Sequence, residues 1–264
     1  MDQPAAKHAV VTQGRITLHR DGPRARIVLD RAAKRNALTS HMLAELDEHL
    51  TTLSDDPSIR VVTLHGAGPV FCAGADTAEF GATTPESIRG RWTRLGQRVF
   101  TTLAELPQTS VAVLTGSAFG GGLELALHCD FRVAAETVDI GLPEATLGTA
   151  PGWGGVTRAA EIGGPAAARM LALTGRALPA AEAYRLCLID VLAAPEDIAT
   201  ATERLVADLL RTGRVAQSIL KRALVAPHAL VDSLAGAYLA EIAETSEAFA
   251  ARNTLITNHS SAKG

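Results

Sequence analysis

The sequence is poor in the features that direct a protein to membranes or to nucleic acid. No apolar run approaches the roughly 20 residues that a membrane-spanning helix requires. The 25 Lys and Arg residues are offset by 28 Asp and Glu residues, and the net charge of −3 argues against a general basic surface. The stretch 1–14 has no continuous apolar region of the kind found in signal peptides. These absences predict a cytoplasmic protein whose partners include neither membranes nor nucleic acids.

Cysteines are also few, and their spacing argues against disulfides and structural metal sites. Cys72, Cys129 and Cys187 are odd in number and show no C-x-x-C spacing, so we expect buried free thiols in a reducing compartment. The eight histidines form no H-E-x-x-H motif and no Cys/His spacing for zinc. We therefore expect no metal, and for His128 a role in the core or on the surface.

Three common catalytic and nucleotide-binding motifs are missing as well. There is no G-x-x-x-x-G-K-[ST] sequence, and the glycines at 120–122 do not form the G-x-G-x-x-G pattern of dinucleotide-binding domains. Gly116 and Ser117 lack the final glycine of the G-x-S-x-G elbow of serine hydrolases. Nucleotide hydrolysis, NAD binding and serine hydrolysis are thus weak interpretations.

The chain is rich in small apolar residues, which predict its secondary structure. Hydrophobic residues make up 47% of the chain and aromatic residues only 4%, so the core is expected to consist of Ala, Val, Leu and Ile. Their spacing predicts β-β-α units at 16–54, 60–106 and 111–128, with parallel pairing across the crossover helices. The first helix is expected at 40–54, capped by Thr39 or Ser40, and the second from Pro85 to Leu106. After Pro151 the spacing predicts Ala-rich helices without strands, at 155–162, 165–173, 180–187, 196–211, 215–225 and 230–252. We therefore expect an α/β fold with a core at 1–150 and a helical region at 151–264, joined without a flexible linker.

The most informative stretch joins a predicted strand at 111–114 to the glycines at 120–122, where a helix is expected to begin. Glycine permits close approach of the backbone to a ligand, and a helix start directs free N–H groups and a positive dipole end at the same place. Glu124 lies near that start, among Leu and Ala residues. Its carboxylate either has a chemical task or complements the helix dipole, and the pattern alone leaves both open.

A second carboxylate, Glu144, follows Pro143 in a segment dense in glycine between residues 141 and 155. Rigid loops at strand ends commonly hold catalytic side chains, although Glu144 would equally suit the cap of a short helical turn. A further loop of small residues lies at 73–76. Backbone N–H groups that stabilise an oxyanion, beside two carboxylates that move protons, suit proton transfer or water addition next to a carbonyl. The spacing leaves open whether Glu124 and Glu144 converge.

Four segments of the chain resemble the crotonase (enoyl-CoA hydratase/isomerase) superfamily. They lie in family order at 34–38, 71–76, 116–126 and 141–155, and the similarity extends from about residue 16 to about residue 224. The resemblance implies a spiral of β-β-α units followed by helices that mediate trimerisation, so a homotrimer or a dimer of trimers is expected. It also implies an acyl-CoA thioester as substrate, with coenzyme A as part of that substrate and no separate cofactor.

The resemblance further implies roles for individual residues. Ala75 and Gly121 match the two backbone N–H groups of the oxyanion hole, and Glu124 and Glu144 match the acid/base pair that adds water. Because both glutamates are present, an enoyl-CoA hydratase is favoured over a Δ3-Δ2 enoyl-CoA isomerase or a non-catalytic acyl-CoA-binding protein. The residues expected to contact the substrate or its CoA portion are Lys34, Arg35, Ala37, Ala73, Gly74, Asp76, Gly120 and Trp153.

The chain departs from the family pattern in two places. Ala78 occupies a position where many hydratases carry Lys, and 247–252 only partly resembles the usual C-terminal helix. CoA contacts from that end are therefore not expected to follow the family pattern. Phe80, Trp92 and Trp153 are candidates for lining the acyl pocket, with core packing as the main expectation for Trp92.

Overall fold

The computed structural model describes residues 13–225. The chain divides into two compact units, Met1–Arg214 and Val215–Gly264. The predicted helix at 230–252 and the family-like stretch at 247–252 lie outside the described residues. The boundary expected at residue 150 stays a prediction.

The described residues form nine strands, which share two sheets. They are β1 (Arg15–Asp21), β2 (Arg24–Asp30), β3 (Val61–Gly66), β4 (Thr109–Leu114), β5 (Ala118–Phe119), β6 (Phe131–Ala135), β7 (Asp139–Gly141), β8 (Leu178–Pro179) and β9 (Val191–Ala193). The larger sheet has the order β1-β2-β3-β4-β6-β9, antiparallel between β1 and β2 and parallel thereafter. The smaller sheet has the order β5-β7-β8. Every residue of β4 is buried, as expected for a central parallel strand.

Helices follow the strands in the chain. They are α1 (Ser40–Ser54), α2 (Thr77–Ala82), α3 (Pro85–Ser87), α4 (Thr93–Glu105), α5 (Gly121–His128), α6 (Gly155–Thr174), α7 (Ala180–Arg185), α8 (Ile198–Arg211) and α9 (Arg214–Val225). A π-turn at Ile88–Trp92 joins α3 to α4, and 3-10 turns lie at Ala32–Lys34 and Pro143–Leu147. This mixture of sheet and helices confirms the predicted α/β class.

Helix α1 shows how the sequence directs these elements. Thr39 caps it by accepting the N–H of Met42 at 3.2 Å, as one of the two predicted caps would. Its buried residues recur at helical spacing (Met42, Leu43, Leu46, Leu50 and Leu53) and belong to the hydrophobic core. The cap and the apolar face together explain why the sequence locates this helix correctly.

The β-β-α repeat is present, but one round is reduced. Its first round is β1, β2 and α1, and its third is β4, β5 and α5. In the second round the second strand shrinks to an isolated bridge between Cys72 and Ala118. A similar bridge joins Leu38 to Ala75 and links the first round to the second. Single bridges, in place of a full strand, therefore position the loop 73–76.

The expectation of a second half without strands is wrong. β9 pairs in parallel with β6, with Val133 opposite Val191, and completes the larger sheet. β8 pairs with β7 in the smaller sheet. These strands have three and two residues, too few to show an alternating pattern between helices. The predicted break between two helices near residue 164 is confirmed, because Gly164 interrupts α6 with φ of 79°.

Two further expectations need correction. Cys72 and Cys129 are buried free thiols as expected, but Cys187 is exposed. It follows the short helix α7 with φ of 60°, at a turn that faces solvent. The single helix expected from Pro85 to Leu106 is instead divided by the π-turn, and α2 was not predicted because its six residues contain only one large apolar side chain.

Within residues 13–225, no helix combines the length and the apolar character needed to cross a membrane. The same residues bring together no group of three or more His, Cys, Asp or Glu side chains placed to hold a metal ion.

Candidate active site

The glycine turn brings three segments of backbone into close contact. Gly120 donates its N–H to the Gly141 carbonyl at 2.9 Å, which ties the turn to β7, and α5 begins at the next residue. A Cβ on Gly121 would lie 2.5 Å from the ring of Trp153 and 3.3 Å from the nitrogen of Ala75. Only glycine fits there, because real Cβ atoms do not approach other atoms so closely. The predicted functional turn is thus packed tightly against the loop 73–76.

Two backbone N–H groups face the same space. Leu38 donates its N–H to the Gly74 carbonyl and accepts the N–H of Asp76, both at 2.8 Å, so the N–H of Ala75 points to the opposite side of the strand-like segment. Gly121 contributes the first N–H of α5, which has no partner inside its own helix. Within residues 13–225, neither N–H donates to a backbone carbonyl. The pair can therefore accept an oxyanion, with support from the helix dipole.

Glu124 lies one turn into α5 and is 2% exposed. Its Oε1 accepts the N–H of Trp153 at 2.8 Å and the N–H of Gly155 at 2.9 Å. A Cβ on Gly155 would come within 2.4 Å of the Glu124 side chain, so glycine is required for this contact. Burial, with a smaller contribution from the charge of Glu144, raises the pKa of Glu124 to about 7 despite these hydrogen bonds. The carboxyl is therefore poised to gain or lose a proton near neutral pH.

Glu144 belongs to the 3-10 turn at Pro143–Leu147, between β7 and α6. Its Oε1 lies 2.8 Å from the point that a Cβ on Gly120 would occupy, so its carboxylate reaches the glycine turn. Its Oε2 is buried and has no hydrogen-bond partner among residues 13–225. Burial raises the pKa of this carboxyl also. The fold thus answers the question that the spacing left open, because both glutamates reach one place.

These groups line one cavity of about 460 Å³. Eight of the twelve residues proposed from the sequence contribute to its wall, namely Ala73, Gly74, Ala75, Gly120, Gly121, Glu124, Glu144 and Trp153. The rest of the wall is mainly apolar and includes Phe80, Ile88, Trp92 and Leu147. Apolar walls with a few convergent polar groups are typical of small-molecule sites.

The other four proposed residues lie outside this wall. Lys34 and Arg35 are exposed, and the Arg35 carbonyl accepts the N–H of Ala73 at 2.9 Å, which holds their loop beside the cavity. Ala37 is half-buried in the same loop. Asp76 caps α2 by accepting the Glu79 N–H at 2.8 Å, and it also pairs with Arg31. Contacts of these four residues with CoA stay predictions, and the Asp76 carboxylate has structural partners of its own.

Aromatic rings form the apolar side of the cavity. Trp92 lies 4.6 Å from Trp153 and 5.4 Å from Phe80, measured between ring centroids. Trp92 also packs against the hydrophobic core, so it combines both roles considered for it. The sequence did not predict the π-turn that carries it, in which the Thr93 hydroxyl donates to the Ile88 carbonyl at 2.6 Å. The only sequence signal was the apolar stripe, which suits an ordinary helix equally well.

His128 supports this site from the core, as one of its two expected roles. It is 5% exposed, and its Nδ1 lies 2.7 Å from the carbonyl oxygen of Glu124. Burial lowers its pKa to about 4, so the ring is neutral and Nδ1 donates to that oxygen. Its ring lies 5.4 Å from that of Phe100, which in turn contacts Trp153. The helix that carries Glu124 is thereby held against the aromatic residues of the cavity.

Comparison with known proteins agrees with this geometry. Residues 24–253 match the family model described as Enoyl-CoA hydratase/isomerase. The crotonyl-CoA hydratase of Syntrophomonas wolfei is 33% identical over 209 residues, which cover 79% of this chain and 80% of that protein.

Solved structures show the same fold. The enoyl-CoA hydratase from Bacillus anthracis superposes with a TM-score of 0.85 at 28% identity, covering 92% of this chain and 96% of that one. A protein from Thermobifida fusca YX, provisionally named an enoyl-CoA hydratase and crystallised with CoA, gives a TM-score of 0.80 at 32% identity, covering 92% and 98%. The chain therefore belongs to the enoyl-CoA hydratase/isomerase family, within the crotonase superfamily.

Proposed function

We propose that this chain is an enoyl-CoA hydratase, a lyase that adds water reversibly and with syn geometry across the double bond of a 2-enoyl-CoA thioester. The thioester oxygen is assigned to the N–H groups of Ala75 and Gly121, and proton transfer to Glu124 and Glu144. The observation that carries the proposal is the convergence of two carboxyls with raised pKa values on a cavity with two N–H groups that have no backbone acceptor among the described residues.

The proposed reaction uses each of these groups once. The thioester carbonyl accepts both N–H groups, which stabilises the enolate that forms when water attacks the β-carbon. An ionised glutamate takes one proton from the water, the water oxygen bonds to the β-carbon, and the electrons of the double bond move toward the carbonyl oxygen. The second glutamate, in its protonated form, delivers a proton to the α-carbon. Water and the enoyl thioester give a 3-hydroxyacyl thioester, and a proton then returns between the glutamates.

The electrostatics of the pair favour this division of labour. One carboxyl must be ionised while the other is protonated. Burial raises the pKa of Glu124 to about 7 and raises that of Glu144, so the pair retains a proton more readily than two exposed glutamates would. Repulsion between the two charges separates their titrations, and the apparent pKa values then belong to the pair.

The remaining parts of the proposal concern the ligand and the assembly. The CoA portion enters as part of the substrate, so the proposed scheme uses no separate cofactor. Lys34 and Arg35 are proposed to meet its phosphates, since their exposed loop is tied to the cavity wall at Ala73. The CoA complex of the Thermobifida fusca protein supports this class of ligand. A homotrimer or a dimer of trimers is proposed from the family resemblance, and the mass of the purified protein in solution tests it.

The test is turnover of crotonyl-CoA by the purified full chain. Hydration should remove the absorbance of the conjugated thioester and increase the mass of the acyl group by one water. Glu124→Gln and Glu144→Gln should each abolish most of this activity, with circular dichroism to verify the fold. Unchanged turnover in both variants would show that the acid/base assignment is wrong.

The same samples separate hydration from the two alternatives. An isomerase would convert a 3-enoyl-CoA thioester into its 2-enoyl isomer and leave crotonyl-CoA unchanged. A binding protein would bind CoA thioesters without converting either compound. Retention of both glutamates at one cavity favours the hydratase, because shuttling a single proton requires only one of them.

A further inference from the structure

Aromatic side chains are scarce in this chain but concentrated at the cavity. The whole sequence contains 2 Trp, 2 Tyr and 6 Phe. Both tryptophans and Phe80 line the cavity, and Phe100 supports Trp153 from the core at 5.4 Å. Trp153 belongs to the hydrophobic core, whereas Trp92 and Phe80 are half-buried at the cavity. The cavity therefore offers aromatic surface to a bound acyl group.

The rings are arranged in order, starting beside the proposed oxyanion hole. The Trp153 ring abuts Gly121, where a Cβ would come within 2.5 Å of it. Trp92 follows at 4.6 Å with its plane tilted by 39°, and Phe80 follows at 5.4 Å with its plane at 67°. These three rings, Trp153, Trp92 and Phe80, form what we define as the aromatic wall of the cavity. An acyl group bound by its carbonyl in the same cavity would contact this wall.

The backbone around Trp92 is specialised as well. The π-turn at Ile88–Trp92 brings Ile88 and Thr93, five residues apart, to the same cavity. Single π-turns inside α-helices are rare and often occur at functional sites. Among the described residues that line this cavity, Glu124 and Glu144 are the only ionisable side chains. These lining residues provide no cation that would pair with a charged acyl tail.

We propose that the preferred acyl group is flat and aromatic, namely a 3-aryl-2-enoyl thioester or its 3-hydroxy counterpart, in preference to a straight alkyl chain. This inference rests on the proposed function. An aryl ring meets the wall in tilted or edge-to-face contacts, which stabilise more than the buried area alone. A conjugated acyl group is also rigid, so binding immobilises fewer rotatable bonds than binding of an alkyl chain does.

The preference is best measured in the dehydration direction, because conjugation between the ring and the new double bond drives that direction. The two substrates are 3-hydroxy-3-phenylpropanoyl-CoA and 3-hydroxyoctanoyl-CoA, compared by kcat/KM from the appearance of the conjugated thioester. We expect the phenyl compound to be favoured about tenfold, as two or three added ring contacts would provide. Calorimetry with the unreactive 3-phenylpropanoyl-CoA and octanoyl-CoA should show the same preference in Kd.

Substitutions in the aromatic wall provide a second test of the preference. Trp92→Leu and Phe80→Leu should each reduce the phenyl-to-octanoyl ratio of kcat/KM about fivefold. Phe131→Leu is the matched control, since Phe131 is half-buried on β6 and does not line the cavity. It should leave the ratio unchanged. Calorimetry on the wild type remains decisive if a variant does not fold, because Kd does not depend on the reactivity of the acyl group.

The outcomes distinguish this inference from the proposed function. Equal or higher kcat/KM for the octanoyl compound would overturn the aromatic preference and leave the hydratase proposal standing. Tighter binding of 3-phenylpropanoyl-CoA without dehydration of either hydroxy compound would support the aromatic preference and overturn the hydratase proposal. An unaltered ratio in Trp92→Leu and Phe80→Leu would overturn the role of the wall.

Discussion

Two cavities in the first compact unit have similar volumes but satisfy their polar groups differently. The candidate active site measures about 460 Å³, and a second cavity of about 430 Å³ lies between strands β1 to β4 and α8. In the first, a buried oxygen of Glu144 has no hydrogen-bond partner within the described part of the chain. In the second, Arg24 pairs with Glu203, and the hydroxyl of Thr202 donates to the Ile198 carbonyl at 2.8 Å.

The titratable groups of the two cavities also shift in opposite senses. Burial raises the pKa of Glu124 to about 7, so a charge can appear or disappear there near neutral pH. Burial and, to a smaller extent, the charge of Arg26 lower the pKa of His65, in the second cavity, to about 4, so His65 stays neutral at pH 7. Volume alone therefore does not identify a site. The difference lies in unsatisfied groups that converge and titrate near working pH.

The largest expected effect is on catalysis when a carboxyl of the active site is removed. Glu124→Gln keeps the shape of the side chain and an acceptor for the N–H groups of Trp153 and Gly155, but it cannot transfer a proton. Turnover of crotonyl-CoA should fall by about 10²–10⁴-fold. Glu203→Gln in the second cavity is the matched control and should keep normal turnover. Equal losses in the two variants would contradict the distinction between the cavities.

A smaller loss is expected from a single added methyl group. Gly121→Ala places a Cβ 2.5 Å from the Trp153 ring, which displaces the N–H donor or the ring. Losing one oxyanion donor costs about 10²–10³-fold in kcat. Gly81→Ala is the control, because a Cβ on Gly81 meets nothing within 4 Å. Steady-state kinetics of both variants test this, and normal kcat in Gly121→Ala would rule out the proposed donor.

The raised pKa of Glu124 has a consequence for stability. Below pH 4.5 the carboxyl is protonated in both the folded and the unfolded chain. Between pH 4.5 and about 7 it ionises in the unfolded chain but stays protonated in the folded chain. The free energy of unfolding therefore falls as pH rises through this range. The loss amounts to about 3 kcal/mol and is complete above pH 7. Glu124→Gln should therefore be more stable than the wild type at pH 8 and equal to it at pH 4.5, as measured by urea unfolding.

The smallest effect should come from the second cavity and have the opposite sign. His65 titrates at 6.5 in the unfolded chain and at about 4 in the folded one, so its contribution to stability is complete above pH 6.5 and is lost as pH falls toward 4. Because His65 is half-buried, the loss should be about 1–2 kcal/mol. His65→Gln should unfold at a higher urea concentration than the wild type at pH 4.5. Identical urea midpoints for His65→Gln and the wild type at pH 4.5 would refute this.

Local patterns were sufficient for much of the fold. The helical spacing of Met42, Leu46 and Leu50, with Thr39 before them, predicted α1 because its apolar face and its cap are both local. The short strands β8 and β9 were missed because each forms only by pairing with a strand distant in sequence. The π-turn was missed because an apolar stripe at helical spacing does not reveal an inserted residue.

For the site, the sequence identified the residue types and the loops, while the fold decided which of them meet. Glu124 and Glu144 could be named in advance because carboxylates beside glycine-rich turns are chemically conspicuous. Their convergence depends on the hydrogen bond from Gly120 to Gly141, on the bridge from Leu38 to Ala75, and on Gly155 admitting the Glu124 side chain. Raised pKa values follow from burial, which no sequence spacing encodes. By itself, therefore, the sequence determined the fold class, the glycine turn and the candidate carboxylates. The tertiary structure decided the convergence of the carboxylates, their protonation and the aromatic wall, because all three depend on contacts between segments far apart in the chain.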